Sequence, residues 1–90
     1  MKYCVYILLC SDHSLYTGST HNLKSRVAKH QSGKGPTYTK MRLPVKLVYF
    51  KCYATLTEAR RREREIKGWR KEKKLNLARY GHPHGHQNNP

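Results

Sequence analysis

The sequence predicts one small α+β domain, a thin sheet covered by helices, and three observations lead there. Segments 3–9, 15–18 and 44–50 carry the β-branched and aromatic residues that suit strands. Segments 22–31, 57–67 and 70–79 show helical start and stop signals around spaced apolar positions. At 90 residues there is chain enough for one core and too little for two.

Tyr3 to Leu9 is apolar without alternation, so it is expected at the sheet centre, buried on both faces. Ser11-Asp12-His13-Ser14 is a turn cluster and Leu15-Tyr16-Thr17-Gly18 resumes the extended pattern, which together predict an antiparallel hairpin. Thr20 or Asn22 caps a helix running to Gln31, anchored by Leu23 and Val27 and stopped by Ser32-Gly33. Gly33 to Leu43 reads as a loop, and Pro44 to Phe50 as a third strand. After a link at Ala54-Thr55, Thr57 opens a helix over Glu58 to Lys67 that Gly68 breaks, and Arg70 to Arg79 forms a last helix. The domain is thus residues 1–79. Residues 80–90 are too polar to bury anything and are expected to form a flexible tail, whose His82, His84 and His86 lack the rigid geometry of a defined metal site.

Charge narrows the function. Lys plus Arg total 19 against 5 Asp plus Glu, a net +14, and nucleic acid is the partner such a balance favours. A membrane-surface role needs a broad apolar helix face, whereas Thr57 to Lys67 offers only Ala59 and Ile66, and the apolar run at the N-terminus is too short for a span or a leader. Cys4, Cys10 and Cys52 lack metal-type spacing and lie in or beside apolar runs, which predicts buried free thiols, a reducing compartment and a cytoplasmic protein, nucleoid-associated if bacterial.

Helix geometry singles out one carboxylate. At 100° per residue, Leu56, Ala59, Glu63 and Ile66 fall within about 80° of one another, so Glu63 lies on the inward stripe while Glu58 and Glu65 point outward. An inward carboxylate is costly unless paired or bound to metal, and a salt bridge to Arg60, Arg61 or Arg62 is the plainer alternative. Arg26 and His30 stand four apart beside the Leu23 and Val27 stripe and can act on one target. Tyr6 shares a strand face with Cys4 and Leu8, and Tyr16 shares one with Gly18, where the missing side chain would leave room for a substrate backbone. Taken singly, each is equally well a half-buried aromatic, a structural histidine or a surface charge.

Together they resemble something specific. Val5-Tyr6-Ile7 followed by Leu15-Tyr16-Thr17-Gly18 resembles the paired strand motifs of the GIY-YIG nuclease superfamily. The resemblance runs on through Asn22 to Arg26, His30, Ser32 to Gly35 and Tyr38-Thr39 to Glu58-Ala59 and Lys67, and is closest to the small stand-alone members. It implies a central three-stranded antiparallel sheet flanked by helices, with the site on one side of the sheet. It also implies roles: Tyr6 as general base, Tyr16 orienting water or phosphate, Arg26 stabilising developing charge, His30 near the scissile phosphate and Glu63 holding a divalent metal. With five acidic side chains in the chain and only Glu63 turned inward, one Mg²⁺ or Mn²⁺ fits better than a two-metal centre. For Tyr6 to act as base its pKa must fall, and His30 could take the same proton, which leaves the choice of base open. Val5 and Thr17 replace a glycine and an isoleucine of the motifs, and Asn76 is the nearest counterpart of a supporting asparagine.

The resulting expectation is a metal-dependent, structure-selective endonuclease acting on DNA in preference to RNA. Lys24, Lys29, Lys34, Lys40, Arg42, Arg60 and Arg64 would contact phosphates. The competing expectation is a basic nucleic-acid-binding module of the same fold that cuts slowly or not at all.

Overall fold

The computed structural model describes residues 2–83. Strand β1 (Tyr3–Leu9) lies between β2 (Leu15–Thr20) and β3 (Lys46–Tyr53), antiparallel to both. Its unbroken apolar run suits that central place, because alternate residues feed two separate cores. Val5 and Ile7 meet Ala59, Ile66 and Leu77 from α3 (Leu56–Lys67) and α4 (Lys71–Tyr80) on one face. Tyr6 and Leu8 meet Val45 and the half-buried Leu23 and Val27 of α1 (Leu23–Gln31) on the other. Each fully buried aliphatic side chain stabilises by about 1.5–3 kcal/mol. A polar residue anywhere in β1 therefore damages one core or the other, whereas each helix supports only one.

The caps explain the helix limits. Asn22 accepts from the Ser25 amide to start α1, and Gly33, at φ +80°, takes the left-handed turn that ends it. For α3 the cap is Thr55, whose side chain and that of Glu58 complete a reciprocal capping box, so the helix begins at Leu56, earlier than expected. Leu56, placed on the inward stripe by periodicity, is 40% exposed because it is the first residue of the helix, at the edge of the core. The last helix, α4, continues to Tyr80, past the expected domain boundary at residue 79, and ends at Gly81 with φ +84°. The tail positions His84 and His86 lie outside the described residues.

Three further expectations are corrected. The segment read as a loop contains a short helix, α2 (Thr37–Lys40), carried by hydrogen bonds back to Pro36 and Thr37 rather than by apolar periodicity. Strand β3 starts and ends later than Pro44 to Phe50, since its register follows β1 as far as Tyr3 opposite Tyr53. As an edge strand it accommodates the exposed Phe50 and Lys51. That register also sets Cys4 directly across from Cys52, and the two form a disulfide while Cys10 stays free and buried. Spacing along the chain carries no information about which strand positions face each other, so free thiols were the wrong expectation for two of the three cysteines. Among the described residues no helix is long and apolar enough to cross a membrane.

Candidate active site

Strand alternation gives Tyr6, Tyr16 and Gly18 one common face, the one α1 covers. Gly18 stands across from Tyr6, and a Cβ at Gly18 would lie 2.5 Å from the Tyr6 hydroxyl. The room expected there for a substrate backbone is therefore filled by the Tyr6 ring itself.

From that hydroxyl a line of hydrogen bonds runs inward. Tyr6 Oη is 2.9 Å from His30 Nε2, and His30 Nδ1 is 2.8 Å from Thr39 Oγ1. Tyr6 is 2% exposed and both His30 and Thr39 are 0% exposed. His30, expected near the scissile phosphate, thus stands behind Tyr6 with both ring nitrogens engaged. Its position follows from the helix: Leu23, Val27 and His30 are spaced i, i+4, i+7, so His30 continues the inward stripe instead of flanking it. Tyr16 packs its ring 5.1 Å from His30 and 5.9 Å from Tyr38, so the aromatic cluster reaches the surface at the exposed Tyr38.

Burial pushes the Tyr6 hydroxyl well above its ordinary pKa, with the neighbouring Tyr16 and Glu63 adding to the rise and Arg26 partly offsetting it. The fall expected of a tyrosine base does not occur: Tyr6 holds its proton. Burial, and then the charge of Arg26, keep His30 below its ordinary value of 6.5, hence neutral. Arg26 is exposed yet close enough to act on both groups.

Glu63 approaches from the other face. One carboxylate oxygen accepts from Ser19 Oγ at 2.6 Å and the other pairs with Lys67 Nζ at 2.9 Å. Burial alone would raise its pKa, but the Ser19 and Lys67 hydrogen bonds and the charges of Lys67 and Arg60 outweigh that and hold it below 4.5. The anticipated arginine salt bridge is made instead by Lys67, one turn along, while Arg62 binds Glu65 and covers the Trp69 ring. Ser19 points away from the face of Gly18, so Glu63 and the Tyr6 cluster lie on opposite faces of β2, not on a single side of the sheet, and Glu63 reaches Tyr6 only through its charge.

Glu63 shares a cleft of about 250 Å³ with Arg60, Arg64 and Lys67. Lys24, Lys29, Lys34, Lys40, Arg60 and Arg64 are exposed, as phosphate contacts must be. Arg42 is not free for that purpose: it pairs with Asp12 at 3.1 Å, donates to the Tyr38 carbonyl at 2.9 Å and stacks 3.8 Å over the Tyr38 ring. It clamps α2 to the hairpin turn. Asn76 lines a separate cleft beside Trp69 and does not support Glu63. Among the described residues no three His, Cys, Asp or Glu side chains gather to hold an ion. The donor set therefore fits only a hard cation that brings its own water and phosphate ligands to the Glu63 carboxylate. Ser19 was missed in the sequence, and Thr39 and Lys67 entered only as positions of the family resemblance without a role, since each acquires its place only through a partner distant in the chain or one helical turn away.

Comparison with known proteins places this geometry. The profile of the GIY-YIG catalytic domain matches residues 2–76. A UPF0213 protein of Staphylococcus epidermidis is 49% identical over 80 residues, covering 89% of this chain and 98% of its own. One from Haloquadratum walsbyi is 51% identical over 77 residues, covering 86% of each. Among solved structures, the UPF0213 protein BH0048 of Bacillus halodurans superimposes with a TM-score of 0.56 at 44% identity, covering 86% of this chain and 82% of that one. The protein EF2693 of E. faecalis gives 0.62 at 30% identity, covering 100% and 96%. The chain therefore belongs to the GIY-YIG family, a nuclease family, among its small UPF0213 members.

Proposed function

We propose that the protein is a metal-dependent endonuclease that hydrolyses DNA phosphodiester bonds and selects its substrate by structure more than by sequence. The observation that carries this reading is the Tyr6 hydroxyl hydrogen-bonded to a neutral, buried His30, with Arg26 and an ionised Glu63 within electrostatic reach. In the hydrolysis, water forms the new bond to phosphorus as the bond to the 3′ oxygen breaks. The water proton passes to Tyr6 as the tyrosine proton moves to His30, so the base is the pair and not either residue alone. The leaving 3′ oxygen takes a proton from solvent to become a hydroxyl, and the imidazolium returns its own proton through Tyr6 to the solvent, so one water is consumed in all. Arg26 stabilises charge building on the phosphate oxygens. A Mg²⁺ or Mn²⁺ at Glu63 would neutralise phosphate charge and assist the leaving oxygen. The net charge of +14 supplies sequence-independent affinity, and contacts made to phosphates suit recognition of flaps, gaps or branches by shape.

A second reading, a basic binding module that does not cut, draws on the Lys67 ammonium already seated on Glu63. Incubation of end-labelled linear, flapped and branched DNAs with the protein, with and without Mg²⁺ or Mn²⁺, separates the two. Metal-dependent product on a subset of structures supports the endonuclease; tight binding with no product under any condition supports the module.

A further inference from the structure

We infer that Thr39 is a positioning residue that fixes the His30 tautomer, keeping Nε2 free of hydrogen so that it can receive the Tyr6 proton. The inference rests on the nuclease reading only for its catalytic consequence; the tautomer stands on geometry. Thr39 Oγ1 lies 3.3 Å from the Pro36 carbonyl, an acceptor with no proton of its own, so the Thr39 hydroxyl hydrogen is directed there. Thr39 must then accept, at 2.8 Å, from His30 Nδ1–H. A neutral imidazole protonated at Nδ1 offers a bare Nε2, and Tyr6 Oη, 2.9 Å away, donates to it. Every polar atom of the chain Tyr6–His30–Thr39–Pro36 is satisfied in this one direction.

The opposite direction is poorer. With hydrogen on Nε2, the ring would donate to Tyr6 and Thr39 would turn to Nδ1; the Pro36 carbonyl would keep the Lys40 amide at 2.9 Å, but the buried tyrosine proton would be left without its acceptor. The surroundings allow little adjustment. A Cβ at Gly35 would lie 2.8 Å from His30 Nδ1 and 3.2 Å from Thr39 Oγ1, so the Ser32-to-Thr39 segment is closed down directly upon this contact. The direction also suits the chemistry, since after proton transfer the imidazolium keeps a partner on each nitrogen: Tyr6 accepts from Nε2 and Thr39 still accepts from Nδ1. Helix α2, with no large buried apolar side chain of its own, gains a reason for its position: it carries this hydroxyl.

Two-bond ¹H–¹⁵N spectra of the imidazole at neutral pH test the assignment directly. The wild type and Thr39→Ser should show His30 protonated at Nδ1 and bare at Nε2, whereas Thr39→Val, lacking the acceptor, should shift it to Nε2–H. Cleavage should follow the tautomer, with Thr39→Val losing about a hundredfold in kcat with KM nearly unchanged, in line with loss of a general base, and Thr39→Ser restoring it. A wild-type His30 protonated at Nε2, or the same tautomer in wild type and the folded valine variant, overturns the inference. An absence of cutting by the wild type with the tautomers as stated would instead overturn the nuclease reading and leave the assignment of Thr39 intact.

Discussion

Replacing Gly18 by alanine should destabilise the protein, against the usual direction for glycine in a strand. The new Cβ would lie 2.5 Å from Tyr6 Oη, 2.7 Å from Cζ and 3.1 Å from Cε1. These are atoms of a ring that is 2% exposed and cannot swing into solvent. Overpacking of this kind costs about 1–3 kcal/mol. Displacing Tyr6 from His30 Nε2 adds about 1–3 kcal/mol for a buried polar pair left unsatisfied. The better strand propensity of alanine returns about 0.5–1 kcal/mol, so the net loss is roughly 1–5 kcal/mol. At about 4–8 °C per kcal/mol for a domain of this size, the melting temperature should fall visibly. Urea denaturation of the wild type, Gly18→Ala, Tyr6→Phe and the double variant gives the cleaner number. Because Tyr6→Phe deletes the nearest atom, alanine at Gly18 should cost less in that background, and the difference is the coupling. A Gly18→Ala protein as stable as the wild type would refute the packing of Tyr6 under Gly18 and the hydrogen-bonded line built upon it.

Further predictions come from polar groups in the core. Thr17 is 4% exposed and its hydroxyl finds no hydrogen-bond partner among the described residues, so Thr17→Val, which keeps the shape and removes that group, should stabilise by about 1–3 kcal/mol; an unchanged or lower urea midpoint contradicts this. His30 is held below 6.5, so the unfolded chain binds more protons as the pH drops and stability should decline below that value, before Glu63, itself held below 4.5, begins to contribute its own loss; a urea midpoint flat between pH 6.5 and 4.5 would exclude a buried neutral His30.

Much of this was legible in the sequence, for physical reasons that differ by residue. Strand β1 announced its central place because only a doubly covered strand dispenses with polar alternation. The inward position of Glu63 followed from the 3.6-residue period alone, and Ser19 and Lys67 are the partners that make it tolerable there. His30 was legible in principle, since its spacing from Leu23 and Val27 is helical, but a histidine at such a position is easily read as flanking the stripe. What could not be read was set by tertiary register. The meeting of Cys4 with Cys52 depends on how β3 slides along β1, and α2 has no periodicity to betray it. Arg42 resembles any other surface cation until Asp12 and Tyr38 are seen on either side of it.

Metal-dependent cleavage through Glu63 is tested by comparing wild type and Glu63→Gln, from identical preparations, for both binding and cutting of the preferred DNA structure with Mg²⁺ or Mn²⁺. The substitution removes the ionised carboxylate but leaves a side chain that can still accept from Ser19; it frees the Lys67 ammonium and leaves every lysine and arginine that would hold the backbone in place. Glu63→Gln should bind as tightly as the wild type or slightly more tightly and lose cleavage; equal cutting by both proteins would rule out Glu63 as the metal-holding carboxylate.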